Sequence, residues 1–435
     1  MDTLNQLSPV NPTERMLTLD ALRGFALLGI LVINIEYFAL PGSVFFDPRI
    51  AGGFEGLSKT VWQWSTVFFY EKMMSIFAML FGAGIVLIQT KGEKTGLKPG
   101  KIYYGRTLWL LFIGLVHSYL FWYGDILVPY AVCGLILFLF RRRSSKFLII
   151  FGAILLLFGA LLQLGAGFQF AMFKDAAKKV EMAQSAGKTP EPIQAAMSEA
   201  WRSISTAFVP TPDMIAREIA GYKGDFWDAL KIRAPHTLII QTQALIFMVI
   251  WRIGGLMLLG MGLMKTGFFS GKQSIRFYLI VAVLGFVLGL PLCIYGVNAL
   301  MSHNFDIIAR FQQDAHYNYF GSIFLAFAYV SIMILLCKSG FLTGLFKRFA
   351  AVGRMALSNY LLQTIIFTTV FYGYGLGLFS QVERSYFPIL ITVIWATQLL
   401  GSFWWLKHFM FGPVEWVWRS LTYRHLQPFR FVKRI

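Results

Sequence analysis

"LDALRGFALLGILVIN" runs from Leu19 to Asn34 and begins with an acid and a base. Asp20 and Arg23 are followed by ten residues of almost pure hydrocarbon before the amide of Asn34. A helix of about 20 such residues spans a bilayer core of about 30 Å. Comparable apolar runs recur along all 435 residues, which are 57% hydrophobic and only 14% charged. A soluble chain has roughly a quarter of its residues charged. Barrel strands would alternate apolar and polar residues, and these runs are continuous. The expectation is an all-α, polytopic membrane bundle of about ten transmembrane helices, roughly 21–40, 65–90, 106–123, 125–140, 147–171, 236–264, 276–299, 318–337, 357–379 and 387–408.

The charge on the short connections orients this bundle. "KGEKTGLKPGK" (91–101), "RRRSSK" (141–146), "KTGFFSGKQSIR" (265–276), "KSGFLTGLFKR" (338–348) and the tail "RHLQPFRFVKRI" (424–435) are basic and fall on alternate turns. The intervening connections 41–64, 124, 300–317 and 380–386 are mixed or nearly uncharged. The positive-inside rule then places both termini in the cytoplasm. The net charge of +18 reads the same way, as cytoplasmic loops attracted to anionic membrane lipids. Nucleic acid is not an expected partner, because no basic stripe with stacking aromatics stands outside the apolar runs. No basic segment and cleavage site precede the first run, so that run is expected to stay as an anchor. Residues 1–435 read as one integral membrane domain. Within it, the polar stretch 172–235 is an extracytoplasmic lid or an amphipathic surface pair, and 409–435 is an interfacial tail.

Ionisable groups inside a span cost about 2.5–3.5 kcal/mol on insertion scales, so they face a partner, a cavity or a pathway. Asp20 and Arg23, three apart, share a helix face. They either complement the helix end and snorkel to phosphate, or present a guanidinium to an anionic ligand. Asn34 lies eleven residues beyond Arg23, about 16 Å along the same stripe. The third span repeats the spacing: in "RTLWLLFIGLVHSYLFWYGDIL" (106–127), His117 follows Arg106 by eleven. Asp125 follows a Gly124 turn that could fold its carboxylate back onto His117. A histidine with an orienting carboxylate is a general-base arrangement; a membrane histidine can equally be an interhelical hydrogen-bond group.

Other polar groups in the spans are Glu36, Glu71, Lys72, Arg252, Asn359, Tyr360 and Gln363. Glu71 and Lys72 could pair with each other, while Asp125 and Glu36 are candidate partners for Arg252. No metal-ligand spacing, phosphate loop or nucleophile elbow occurs. The three cysteines are widely separated and sit in apolar runs, where they read as packing residues.

"LDALRGFALLGILVINI", "FIGLVHSYLFWYGDILVPYAVCG", "GRMALSNYLLQT" and "FGPVEWVWRSLTY" together resemble the YeiB-type family of bacterial inner-membrane proteins. That family is in turn similar to the transmembrane acyltransferase superfamily, including acyltransferase family 3 and heparan-glucosaminide acetyltransferase. The resemblance implies the bacterial cytoplasmic membrane, an acyl-CoA donor on the cytoplasmic side, and a small-molecule acceptor, a glycan or a lipid, on the far side. It implies no metal. In acyltransferase family 3 an arginine, ten residues and then a catalytic histidine occupy the first span. Arg23 matches that arginine, but position 34 is an asparagine, as in the heparan-acetylating branch. On this reading Arg23 and Arg106 hold the donor's anionic end, Asp20 belongs to the same donor-binding group, and His117 is the base oriented by Asp125. Asn34 donates to the carbonyl oxygen, in a polar shaft between the first and third spans. A transporter or lipid-binding protein using the same buried charges, and a purely structural bundle, are the alternatives. The oligomeric state is not legible in the sequence.

Overall fold

The computed structural model describes residues 16–94 and 99–430. The N-terminus, part of the basic connection 91–101 and the last five residues of the tail therefore lie outside the described residues. Among those described there are helices and one isolated antiparallel bridge, Phe409–Arg430, but no β-strand. The helices are α1 (Leu17–Ala39), α2 (Gly56–Phe68), α3 (Lys72–Lys94), α4 (Pro99–Leu120), α5 (Leu127–Leu137), α6 (Ser145–Ser185), α7 (Pro192–Phe208), α8 (Pro212–Lys223), α9 (Phe226–Ile239) and α10 (Ile250–Lys265). They continue with α11 (Ile275–Ser302), the short α12 (Ile307–Ala309), α13 (Ala315–Ser339), α14 (Thr343–Arg354), α15 (Ala356–Phe371), α16 (Phe387–His408) and α17 (Pro413–Tyr423).

The chain is a multi-pass helical membrane bundle. Among the described residues, seven helical runs are long and apolar enough to cross a bilayer. The remaining three of the ten expected segments are helical but shorter or more polar: α4, the run Leu127–Phe140, and α15. Starts follow capping chemistry. The side chains of Ser144, Asp225 and Ser274 accept from the amides of Phe147, Asp228 and Phe277 at 3.2, 2.9 and 3.2 Å, satisfying donors that the first helical turn leaves over. Gly340, at a φ of 72°, ends α13 in the left-handed conformation.

Two close helix crossings depend on glycine. A Cβ on Gly24 would lie 1.9 Å from the Phe349 carbonyl oxygen, and one on Gly353 would lie 1.9 Å from that of Asp20. Gly82 and Gly260 do the same for α3 against α10, at 2.0 and 1.9 Å from Met257 O and Met79 O. Without a strong hydrophobic force between helices in lipid, such backbone approach is a main source of association.

The two kinds of connection gather at opposite ends. At the basic end, Lys265 donates to the carbonyls of Arg141 and Arg143, Lys338 to those of Gly271 and Gln273, and Arg141 to the Gln89 side chain. At the other end, Arg49 donates to Asn304 O at 2.9 Å and Arg310 to Phe46 O at 3.2 Å.

The insert 172–235 is helical and packs on this second end. Phe208 of α7 meets Phe46 and Phe311, the Gly42 amide donates to Glu218 of α8 at 2.9 Å, and the Gly373 amide donates to Tyr222 O at 2.8 Å. At 41 residues, α6 runs about 60 Å, twice a bilayer core. Its last third, from residue 172, therefore belongs to the insert.

Candidate functional site

The site is built where α4 stops. Arg233 of α9 donates to the carbonyls of Tyr119, Leu120 and Phe121 at 2.9, 2.6 and 3.0 Å. A cation on the last carbonyls of a helix satisfies acceptors that have no partner of their own. The chain then turns through Trp122, Tyr123 and Gly124. A Cβ on Gly124 would fall 2.4 Å from the Trp122 ring, so this turn needs glycine. The reversal brings Asp125 back beside the preceding helix.

Asp125 Oδ1 lies 2.7 Å from His117 Nδ1, and its Oδ2 accepts the Val128 amide at 2.8 Å in the first turn of α5. Both side chains are almost fully buried, at 2% and 1% exposure. On the other side of the ring, His117 Nε2 meets Thr364 Oγ1 of α15 at 2.9 Å. An ionised carboxylate only accepts, so the Asp125 contact puts a proton on Nδ1 and leaves the Nε2 lone pair facing the Thr364 hydroxyl. The other acceptor near that hydroxyl, Tyr360 O, is more distant at 3.4 Å. Tyr360 stacks obliquely on the imidazole with ring centres 5.1 Å apart, and its hydroxyl accepts the Ile126 amide. The sequence reading passed over Thr364, although it closes the quoted motif 353–364.

His117 and Thr364 border, through their carbon atoms, a groove of about 220 Å³ between α4 and α15. Its walls are Phe112, Ile113, Val116, Phe121, Leu361 and Ile365. Phe112, Val116, Phe121 and Ile365 are exposed on the flank of the bundle, so the groove opens sideways, toward lipid.

The expected polar shaft between the first and third spans is not what the helices enclose. Helix α1 packs chiefly on α14, α3 and α15. Leu27, Leu28 and Leu31 of α1 share one buried apolar cluster with Leu110 of α4. Asn34 is half-buried on α1, and the side chains that bond His117 are Asp125 and Thr364, not Asn34.

Arg23, half-buried, pairs with the buried Asp20 at 2.9 Å near the basic end. Arg106 stacks its guanidinium on Trp418 of α17, 4.1 Å from the ring centre, while the Trp418 indole donates to Arg106 O. Arg23 and Glu415 lie within electrostatic range of Arg106. Glu415 in turn accepts the Leu357 and Ser358 amides at 2.7 and 3.0 Å, holding the start of α15. The tail thus closes the basic end over Arg106, about 16 Å along α4 from His117.

The remaining buried charges differ from the pairings the sequence suggested. Glu36 bonds Arg384, a residue the sequence reading did not single out, and Arg384 also donates to Ala51 O and Gly53 O. Arg252 pairs with Glu71 at 3.3 Å, not with Asp125 or Glu36, and donates to Ser322 and Tyr319 O. Lys72 does not pair directly with Glu71. It donates to Thr66 O and to the side chain of Asn318, which itself donates to Glu71 at 2.9 Å. Asn359 bonds Ser402, and Gln363 bonds Gln398 at 2.8 Å, joining α15 to α16. Among the described residues no three His, Cys, Asp or Glu side chains group as a metal site.

The fold and its polar groups define a multi-pass helical membrane protein with a buried aspartate–histidine pair beneath a lateral groove. Residues 263–425 match the family described as protein of unknown function (DUF418). That stretch contains Thr364, while His117 and Asp125 lie outside it. The chain is 29% identical over 429 residues to the uncharacterized protein YeiB of Escherichia coli K12, covering 95% of this chain and 98% of the relative. It is also 29% identical to the uncharacterized protein YxaH of Bacillus subtilis 168, covering 98% of both chains. An uncharacterized 39.9 kDa protein in the amylase 3′ region of Bacillus acidopullulyticus is 26% identical, covering 97% of this chain and 98% of the relative. The YeiB-type resemblance thus holds along the whole chain. No solved structure matches it significantly.

Proposed function

We propose that this protein is a membrane acyltransferase of the bacterial cytoplasmic membrane. It would move an acyl group from a cytoplasmic acyl-CoA-like donor to an extracytoplasmic or lipid-linked hydroxyl or amine. The observation that carries this reading is the His117–Asp125 pair, 2.7 Å apart and buried, with His117 bordering an open groove. His117 Nε2 takes the proton of the attacking hydroxyl, and Asp125 stabilises the imidazolium that forms. A base of this kind contributes roughly 10²–10⁴ in rate. Arg106, on the same α4 stripe as His117, and Arg23 of α1 supply positive charge for the donor's anionic end. The test offers acyl-CoA and lipid acceptors to purified protein and compares it with His117→Ala. Undiminished transfer by the variant removes the catalytic assignment.

One observation favours a second reading, transport without chemistry. Two basic side chains, those of Lys72 and Arg252, are buried close to the half-buried Glu71. Irregular backbone surrounds them: Glu71 has a φ of 65°, and π-helical segments Ile240–Val249 and Arg310–Asp314 precede Arg252 and Asn318. Such departures cluster at functional sites. Solute uptake into proteoliposomes without covalent change to the solute would favour this reading over the first.

A further inference from the structure

We propose that Thr364 is the nucleophile of the site. The acyl group would pass through an O-acyl-threonine whose chain lies in the groove between α4 and α15. This rests on the acyl-transfer reading and deepens it, because it commits to a two-step transfer and to an acyl chain long enough to need the groove.

Three observations converge. Asp125, His117 and Thr364 form one hydrogen-bonded line, with contacts of 2.7 and 2.9 Å on the two ring nitrogens. A hydroxyl on the free side of a carboxylate-oriented imidazole is the arrangement that activates a nucleophile. All three are nearly fully buried, Thr364 at 1% exposure, so little water competes for the hydroxyl. His117 and Thr364 are the groove-lining residues that carry polar side chains, and the surface they and their neighbours present to the groove is hydrocarbon and aromatic and faces the bilayer. An acyl chain that enters such a groove from the membrane brings its carbonyl up to the side chain of Thr364.

The position of Thr364 also bears on a one-step mechanism. An acceptor hydroxyl activated by His117 Nε2 must occupy the place that Thr364 Oγ1 already holds. If Thr364 reacts first, no displacement is needed. Thr364 Oγ1 attacks the donor carbonyl and its proton passes to His117 Nε2. The bond to the donor sulfur breaks, and the thiolate leaves with that proton. In the second half, the acceptor hydroxyl gives its proton to Nε2 and attacks the threonyl ester. The bond to Thr364 Oγ1 breaks and the hydroxyl regains its proton, so donor acyl and acceptor proton are exchanged with nothing left over.

The experiment uses the full chain in detergent micelles with two probes, palmitoyl-CoA and a long-chain alkyl fluorophosphonate. Peptides are mapped by mass spectrometry, and palmitoyl transfer to added phospholipid and sugar acceptors is followed alongside. The expected result is a palmitoyl or phosphonyl adduct on the peptide containing Thr364. Adduct formation should fall at least about 100-fold in His117→Asn, disappear in Thr364→Val and return in Thr364→Ser. Thermal unfolding of each variant near the parent temperature confirms the fold. Transfer that continues in Thr364→Val, with Thr364 unmodified, overturns the nucleophile and leaves the acyltransferase reading intact. Phosphonylation of Thr364 without transfer from palmitoyl-CoA supports the nucleophile and counts against the acyl-CoA reading. Neither adduct nor transfer overturns both.

Discussion

Arg384 and Glu36, 348 residues apart in the chain, form a buried ion pair at the end of the bundle away from the basic connections. The same guanidinium donates to Ala51 O and Gly53 O at 2.6 Å each, so one side chain ties the loop after α1 to the start of α16. Removing one partner of such a pair leaves a buried charge, at a cost of about 3–5 kcal/mol. Arg384→Ala should therefore lower the thermal midpoint substantially. The double change Arg384→Met with Glu36→Leu should recover much of the loss, because it leaves no charge behind. Equal unfolding temperatures for the single variant and the parent would count against the pair's structural weight.

Asp125 touches His117 but not the groove walls, so its replacement tests orientation rather than bulk. Asp125→Asn keeps the shape and removes the charge that holds the proton on Nδ1. Acyl transfer should fall by about 10²–10⁴ with little change in KM for the donor. Retention of the parental rate, measured as initial velocity, would make the pair a structural hydrogen bond.

Gly24 and Gly353 set the distance between α1 and α14. Gly353→Ala places a methyl group 1.9 Å from Asp20 O, which forces the helices apart. Overpacking of this kind costs typically about 1–3 kcal/mol. The expected outcome is a lower unfolding temperature and faster amide exchange in 343–354. Gly401→Ala has nothing within 4 Å of the new methyl and is the matched control, expected to unfold like the parent.

Glu218 joins the insert 172–235 to the loop after α1. Burial raises its carboxyl above the ordinary value, while the Gly42 amide and His236 oppose the shift. The buried hydroxyls of Tyr123 and Tyr222 lie within electrostatic range. A raised value means that the folded state binds the proton more tightly than the unfolded state. Its stabilising contribution is present below the unfolded value and is lost as pH rises through the folded one. Amide exchange in 212–223, corrected for intrinsic rates, should therefore be faster at pH 8 than at pH 5. In Glu218→Gln the corrected rates should not change with pH. A pH-independent parent would contradict the assignment.

Much of the architecture was legible without coordinates. The apolar runs became helix over most of their length, because a bilayer leaves backbone groups no partner but the helix itself; the run 357–379 stops as helix at Phe371, and 65–90 is broken between Phe68 and Lys72. The return of Asp125 to His117 was legible too, since it depends on a local turn with glycine at its tightest point. Arg252 was not. Its position within a span showed that it needed an acid, but the choice among Glu36, Asp125 and Glu71 depends on which helices are neighbours.

Helical period, read along one chain, determines which segments are helices and which residues share a stripe. It carries no distance between one helix and another. That Arg23 and Asn34 do not lead to His117, that Glu36 faces Arg384, and that Thr364 meets Nε2 were decided only by tertiary packing. The physical reason is that, within lipid, glycine contacts and interhelical hydrogen bonds choose the neighbours. In this chain the partners they join lie up to 348 residues apart.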